Sequence, residues 1–79
     1  NAVCPGPVGN TRMMNGDLDA APDRTVAEQN VIAASPLARA FGRMIAPEEV
    51  ADAVLYLVSD GAAMVTGTML AIDGGKSLG

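Results

Sequence analysis

Few side chains in this 79-residue sequence are suited to acid-base, nucleophilic or metal chemistry. It has no histidine and one cysteine, Cys4, so a histidine-dependent triad is excluded and no zinc site is expected. The single tyrosine, Tyr56, is followed four residues later by Asp60 and not by lysine, which favours a packing or surface role. Adjacent helical residues do not face each other, so Glu48 and Glu49 are better explained as helix-start residues than as paired acids. We predict no catalytic residue and no metal site.

Two further patterns could indicate ligand contact. The tripeptide Gly75-Lys76-Ser77 matches the end of a P-loop, but that motif needs a glycine where Leu70 stands and must open a helix. We therefore assign no phosphate site there. Met13 and Met14 are either gap-filling residues or adaptable apolar contacts for a ligand, and both explanations stay open.

The size and composition of the chain favour a unit that packs against other protein. Its 79 residues allow one small domain, which would bury only about 60–65% of its unfolded surface. A single cysteine permits no internal disulfide. Hydrophobic residues make up 49% and charged residues 18%, so either the composition is simply rich in alanine and glycine or part of the surface is buried elsewhere. We favour the second explanation.

Charge and hydropathy exclude several partners. The net charge is −4, and the five basic residues are scattered, so no nucleic-acid surface is expected. No apolar run approaches the roughly 18 residues of a membrane span, and no signal-peptide core begins the chain. A lone thiol fits a reducing compartment. We expect no membrane partner and a cytoplasmic location.

The first third of the chain is predicted to be mostly irregular. Residues 1–4 have the character of a strand end, which Pro5 stops. Residues 11–22 are predicted as a loop, with a turn at Asn15-Gly16-Asp17.

Helices are predicted in the middle of the chain. Residues 23–34 have helical spacing, with Asp23 or Thr25 as the cap and Ser35-Pro36 as the end. Residues 37–46 are predicted as a connector around Gly42.

The clearest helical pattern covers residues 47–59. Proline suits the first helical position, and the two glutamates suit the positive end of the helix dipole. Gly61 is predicted as the stop. One apolar stripe is formed by Val50, Ala53, Val54, Leu57 and Val58.

The last element is predicted to be a strand over residues 68–73, ended by Gly74-Gly75. Its continuous apolar middle is typical of a strand buried on both faces, as in a parallel sheet covered by helices. The order of strand end, helices and strand predicts an α/β layered fold. Two strands alone do not make a stable sheet, so partners are expected.

Three segments in this order resemble the last third of a short-chain dehydrogenase/reductase. They are Asn-Ala-Val-Cys-Pro-Gly-Pro-Val over residues 1–8, Gly-Arg-Met with Pro-Glu-Glu-Val-Ala-Asp-Ala over residues 42–53, and Val-Thr-Gly-Thr-Met-Leu-Ala-Ile-Asp-Gly-Gly over residues 65–75. The resemblance implies the C-terminal part of a Rossmann-like doubly wound parallel sheet. It also implies an oxidoreductase that interconverts an alcohol and a ketone or aldehyde with NAD or NADP.

The resemblance assigns cofactor contacts to the loop after the first strand. Pro5 and Gly6 match the segment that passes under the nicotinamide, and Val8 matches the residue whose backbone meets the carboxamide. The family has a threonine two residues after the Val8 position. Either Asn10 replaces it, or the loop carries one extra residue and Thr11 is its counterpart.

The resemblance also divides residues 1–79 as part of one Rossmann-type domain. Residues 1–10 are the strand end and cofactor loop, 11–36 the substrate lid, 47–60 a helix and 68–73 the last strand. Met13 and Met14 fall in the lid.

The family's glycine-rich phosphate turn, catalytic serine and tyrosine-lysine pair have no counterparts in this sequence. We therefore expect a C-terminal fragment that is inactive alone, binds no cofactor tightly and partners the N-terminal part of the same protein. The helix over residues 47–60 and the last strand match elements that pair with a second subunit, so a homo-oligomer, dimer or tetramer, is expected. The alternative is a non-enzymatic assembly fragment.

Overall fold

The structure, a computed structural model, describes residues 1–78. Within them, four α-helices lie between two short strands along the chain. The elements are β1 (Ala2–Pro5), α1 (Arg12–Ala20), α2 (Arg24–Ala33), α3 (Pro36–Phe41), α4 (Pro47–Val58) and β2 (Met69–Ile72), with 3-10 turns at Asp60–Ala62 and Lys76–Leu78.

The first and last strands pair in parallel, which confirms the predicted α/β arrangement. The register runs from Ala2 opposite Met69 to Pro5 opposite Ile72. A parallel pair needs a long crossover connection, usually helical, and residues 6–68 supply it.

Residues 11–22, predicted as a loop, contain the helix α1. Thr11 is its N-cap, with Oγ1 accepting a hydrogen bond from the Met14 N–H at 3.2 Å. Leu18 is buried, at 4% exposure. Gly16, the centre of the predicted turn, lies inside the helix. The prediction was wrong because the cap and the burial of one leucine outweigh the roughly 1 kcal/mol that glycine costs in a helix.

The helix predicted over residues 23–34 is confirmed as α2. Asp23 provides the N-cap, since its carboxylate accepts a hydrogen bond from the Val26 N–H at 3.2 Å. The helix ends before Ser35, as the serine-proline pair predicted.

Residues 37–46, predicted as a connector, begin inside the six-residue helix α3. Proline stands at its start, where the missing N–H is not needed. Gly42 ends it in the left-handed conformation, at φ 70°, and donates its N–H to the Ala38 carbonyl at 2.7 Å. A helix shorter than two turns leaves no apolar period in the sequence, which is why the prediction missed it.

The helix predicted over residues 47–59 is confirmed as α4, and its apolar stripe only in part. Val50, Ala53 and Leu57 are half-buried. Val54 and Val58, predicted on the same stripe, are 43% and 75% exposed. The buried strip is therefore narrower than the sequence predicted.

The predicted stop at Gly61 was wrong by two residues. Ser59 is the C-cap of α4, and its Oγ donates to the Tyr56 carbonyl at 2.6 Å. Gly61 lies inside the following 3-10 turn. The serine hydroxyl, by bonding back to the last turn, ends the helix where glycine was expected to end it.

The last strand is not buried on both faces within residues 1–78. Leu70 and Ile72 are half-buried, whereas Met69 is 77% exposed and Ala71 is also exposed. α4 packs against both strands, so it covers one face of the pair. The apolar run does form a strand, but within residues 1–78 only one of its faces is covered.

Residues 1–78 enclose a very small core. Leu18 and Ala62 are its buried apolar residues. The radius of gyration is 14.2 Å, against about 12 Å for a compact domain of this length. Among the described residues, no helix combines the length and apolarity needed to cross a bilayer.

Two exposed glycines provide a matched test of the helix assignments. A Cβ at either Gly16 or Gly42 would meet nothing within 4 Å, but only Gly42 has a positive φ. We expect Gly16→Ala to stabilise the protein by about 0.5–1 kcal/mol through helix propensity. Gly42→Ala should cost about 1–2 kcal/mol because alanine resists the left-handed conformation. Denaturant unfolding measures both; loss of stability on Gly16→Ala would contradict α1.

Candidate functional site

The carboxyl ends of both strands lie at one edge of the pair, where Gly6 meets Asp73. The Gly6 N–H donates to the Ile72 carbonyl at 2.9 Å, which continues the strand register. A Cβ atom on Gly6 would lie 3.0 Å from both Cα and Cβ of Asp73. That spacing is tighter than most Cβ contacts in proteins, so a larger residue would require Asp73 to shift by a few tenths of an ångström. Glycine therefore allows this close approach without displacement.

Val8 lies beyond the end of β1, beside a third extended segment, residues 43–46. It forms an isolated parallel bridge with Ile45, and the Gly9 N–H donates to the Ile45 carbonyl at 2.9 Å. Val8 itself is half-buried, and its N–H donates no hydrogen bond within residues 1–78. The loop thus presents an unused backbone donor at the carboxyl edge.

Asn10 and Thr11 connect this loop to α1. Asn10 has a φ of 55°, a left-handed conformation that asparagine tolerates better than most residues. The Thr11 hydroxyl donates to the Val8 carbonyl at 3.2 Å and accepts from the Met14 N–H at 3.2 Å. Its donor and acceptor are both in use, so Thr11 fixes the loop against the start of α1.

Ser35 fastens the end of α2 to the turn after β2. It is 3% exposed, and its hydroxyl lies 2.9 Å from the Asp73 carbonyl and 3.1 Å from the Gly74 carbonyl. Although Ser35 occupies the N-cap position of α3, its side chain makes no cap hydrogen bond there. Gly74 has a φ of 62°, and a Cβ on it would overlap the Ser35 Oγ. This contact links segments 38 residues apart.

The Asp73 carboxylate organises the turn after β2. Its two oxygens accept hydrogen bonds from the Gly75 N–H at 2.9 Å and the Ser77 N–H at 3.0 Å. The Ser77 side chain, followed by these backbone donors, lowers the pKa of Asp73 below its ordinary value. The backbone donors of the turn therefore favour the ionised form of Asp73.

Two open grooves flank the edge. One, of about 490 Å³, lies between α3 and the carboxyl end of β2. The other, of about 400 Å³, lies between the helices α1 and α2 and residues 42–48, and Asn10 lines it. Within residues 1–78, no group of three or more potential metal-ligating side chains comes together.

Comparison with known proteins identifies the family to which this edge belongs. A sequence model of the family described as "Enoyl-(Acyl carrier protein) reductase" matches residues 1–77. A short chain dehydrogenase family protein from Francisella tularensis superimposes with a TM-score of 0.82 at 28% identity, over 98% of this chain and 32% of that one. The chain belongs to the short-chain dehydrogenase/reductase family.

Named relatives within the short-chain dehydrogenases/reductases are oxidoreductases. The 2-(S)-hydroxypropyl-CoM dehydrogenase 3 of Xanthobacter autotrophicus is 43% identical, over 98% of this chain and 28% of its own length. The acetoacetyl-CoA reductase of Rhizobium meliloti is 38% identical, over 96% of this chain and 27% of its own length. The chain thus spans less than a third of these relatives.

The structure gathers some of the residues that the family resemblance assigned. Pro5, Gly6 and Val8 follow one another along the carboxyl edge, with Asn10 at a groove and Thr11 at the helix cap. Met13 and Met14, which the resemblance assigned to a substrate lid, do not lie at that edge. Met13 is 80% exposed, and neither Met13 nor Met14 lines a groove described above.

Three residues at the edge were not predicted from the sequence as part of the site. Ser35 before a proline carried an N-cap signal, but nothing local indicated that its hydroxyl bonds the turn after β2. Asp73 before two glycines carried an Asx-turn signal that could have been used. Ile45 forms a one-residue bridge, for which the sequence offers no pattern.

A double-mutant cycle tests the Ser35–Gly74 contact. Ser35→Ala should destabilise the protein by about 0.5–1.5 kcal/mol because the Asp73 and Gly74 carbonyls lose the hydroxyl donor and keep only the backbone donors Lys76 and Leu37. Gly74→Ala should cost at least about 2 kcal/mol, from overlap with Oγ and from the left-handed backbone. In the Ser35→Ala background that cost should fall by about 1 kcal/mol or more, as measured by denaturant unfolding.

Gly75→Ala is the matched control for this cycle. Gly75 also has a positive φ, 87°, but a Cβ there would make ordinary contact, 3.6 Å from Pro36 Cγ. Its cost should be the same with or without the Ser35 hydroxyl. Additive costs for the Ser35 and Gly74 changes would show that the overlap has no energetic consequence.

Acid should weaken the Asp73 turn. Because the pKa of Asp73 is lower in the folded state, its carboxylate contributes stability above the unfolded pKa, and this contribution is lost as pH falls through the folded pKa. We expect Asp73→Asn to be less stable than the unmodified protein at neutral pH, with the gap closing below about pH 4. Unfolding measured across pH gives the gap; a constant gap would contradict the assignment.

Proposed function

We propose that this chain forms the C-terminal part of an NAD(P)-dependent oxidoreductase that interconverts an alcohol and a ketone or aldehyde. The observation that carries the proposal is the position of Gly6. It lies at the carboxyl edge of a parallel strand pair, where a side chain would strike the Asp73 backbone. Ligands of open α/β sheets bind outside this edge. Family membership and the oxidoreductase relatives support the same conclusion.

In the proposed enzyme, the loop after β1 is the floor on the nicotinamide side. Pro5 and Gly6 give the floor a flat surface, and the unused Val8 N–H donates to the carboxamide. A backbone donor of this kind fits an amide oxygen, and the half-buried setting of Val8 favours the contact. When bound, the cofactor supplies or accepts the hydride.

Asn10 and Thr11 have separate roles in this proposal. Because the Thr11 hydroxyl is committed to Val8 and to the α1 cap, it shapes the loop that faces the cofactor. Asn10, in its left-handed conformation, replaces the threonine and lines the neighbouring groove. Asn10 is then the residue of the pair that reaches the carboxamide or phosphate.

Residues 11–36 act as the substrate lid, with residues 1–10 as the strand end and cofactor loop. α1 and α2 pack against each other and cover the 400 Å³ groove from one side. Ser35 fixes the end of the lid to the turn after β2. Met13, 80% exposed, is available to meet an apolar part of the substrate when the lid closes.

The proposal assigns protein–protein contacts to the helix over residues 47–60 and to the last strand over residues 68–73. Leu55 is 65% exposed, Val58 75% and Met69 77%. The N-terminal part of the same enzyme and a second subunit would cover these side chains, giving a homo-oligomer. Alone, the chain is proposed to be inactive and to bind cofactor weakly. Cys4 carries a free thiol, which suits a cytoplasmic enzyme.

The same exposed side chains favour a second candidate, a fragment that associates through α4 and β2 without catalysis. Cofactor-dependent turnover distinguishes the two. A full-length protein containing this segment should oxidise NADH or NADPH in the presence of a panel of ketones and aldehydes. The 79-residue chain alone should not. Turnover by the short chain, or none by the full-length protein, would count against the proposal.

The Gly6 floor provides a direct variant. In the full-length protein, Gly6→Val should raise the KM for cofactor at least about tenfold, because the backbone must shift by several tenths of an ångström. Gly61→Ala is the control, since a Cβ there would lie an ordinary 3.6 Å from Ser59 Oγ. Steady-state kinetics at saturating carbonyl substrate measure both. Equal cofactor KM values for the two variants would show that Gly6 does not contribute to cofactor binding.

A further inference from the structure

An ion pair joins the connector after α3 to the first turn of α4. Arg43 Nη1 lies 2.6 Å from Glu49 Oε1, and Nη2 lies 3.4 Å from Oε2. The Arg43 guanidinium also lies 5.4 Å from the centre of the Phe41 ring, within cation–π range. The side chain of Arg43 therefore spans from the end of α3 to the start of α4.

The same two side chains hold the backbone between them. Glu49 Oε1 accepts the Ala46 N–H at 2.8 Å, which is half of a capping box because alanine offers no side-chain acceptor in return. Arg43 Nη1 donates to the Met44 carbonyl at 3.0 Å. The Arg43 side chain and the Ala46 N–H together lower the pKa of Glu49 below its ordinary value. We call this group of contacts, Arg43, Glu49 and the backbone of residues 44–46, the connector clamp.

The backbone inside the clamp is the segment that supports the cofactor loop. Ile45 accepts the Gly9 N–H at 2.9 Å and forms the bridge with Val8. A Cβ on Gly9 would lie 3.1 Å from Met44 Cβ, so the loop and the clamp are in close contact. A displacement of residues 44–46 would therefore be transmitted to the backbone at Val8.

The ion pair alone is too weak to explain such a role. The side chains of Arg43 and Glu49 are 51% and 45% exposed, and solvent screening leaves such surface pairs little effect on stability. The contribution to function comes from the backbone hydrogen bonds, which require both charged groups in one geometry. Loss of either partner leaves global stability nearly unchanged and frees residues 44–46 locally.

We propose that Arg43 and Glu49 are positioning residues that hold the Val8–Gly9 backbone where it receives the nicotinamide carboxamide. The inference rests on the proposed function, because it assigns to the clamp the accuracy of the cofactor floor. Neither side chain touches the cofactor in this account. They act through the Ile45 bridge, two contacts away.

A matched pair of carboxylate variants on α4 tests the clamp in the full-length protein. Glu49→Gln removes the charge that engages Arg43. Asp52→Asn removes an exposed charge one turn later on the same helix, where no ion pair forms within residues 1–78 and neither groove described above is lined. We expect Glu49→Gln to raise the Kd and the KM for cofactor about five- to tenfold with kcat changed less than about twofold. Asp52→Asn should change all three less than about twofold.

Amide hydrogen exchange gives a readout that does not depend on the cofactor. In the cofactor-free protein, Glu49→Gln should speed exchange of the Gly9 N–H, which donates to Ile45, by about tenfold. The Gly6 N–H, which donates to Ile72, should keep its rate and serves as the internal control. Arg43→Gln removes the other partner and should give the same pattern, so the test survives failure of either variant to fold.

The outcomes separate this inference from the proposed function. If the unmodified protein binds neither NADH nor NADPH, the proposed function fails and the inference with it. If it binds cofactor but Glu49→Gln matches Asp52→Asn in Kd and in Gly9 exchange, the function stands and the clamp is overturned. The clamp is supported if Glu49→Gln loses cofactor affinity five- to tenfold and speeds exchange of the Gly9 N–H but not of the Gly6 N–H. Arg43→Lys, which keeps the positive charge, should then lose less affinity than Arg43→Gln.

Discussion

Every feature of the candidate site depends on the parallel pairing of two four-residue strands, β1 and β2. Because parallel strands run in the same direction, their carboxyl ends emerge together, and the register sets Pro5 beside Ile72. The residue that follows each strand is Gly6 or Asp73, and the absence of a side chain on Gly6 lets the two approach closely without a shift of Asp73. The loop, the Ser35 contact and the Asp73 turn all begin from that meeting point. A register shift of one residue would place Pro5 or Pro7 where glycine is needed.

The elements that sequence reasoning predicted well are those specified by a continuous local pattern. The helix α4 has a proline at its start and apolar residues every three or four positions, and the strand β2 has an unbroken apolar run. The helix α1 was missed because its determinants are a threonine cap and one buried leucine, while an asparagine-glycine pair indicates a turn. The burial of β2 was overestimated because the pattern describes a covered sheet, and only α4 among residues 1–78 covers it.

Prediction of the candidate site divides in the same way. The family resemblance placed Gly6 and Val8 on the loop after the first strand, and both lie at the carboxyl edge. It did not indicate Ser35, whose hydroxyl bonds a carbonyl 38 residues away. Nor did it indicate Ile45, which supports the loop through main-chain atoms. Contacts between a side chain and a distant backbone, or between two backbones, depend on how the elements meet in space. Neither the composition nor the hydrophobic periodicity of the sequence predicts them.

The span between the paired strands also sets the order in which this segment can fold. Pairing β1 with β2 closes a loop from Pro5 to Met69, and the chain entropy of closing about 64 residues costs about 4 kcal/mol relative to a very short loop. A ladder of four residue pairs is too small to meet that cost early. Helices formed beforehand shorten the span, since a helical residue advances only about 1.5 Å along the chain. We therefore expect the strands to pair after the helices have formed, so that the edge where Gly6 meets Asp73 is completed only late in folding.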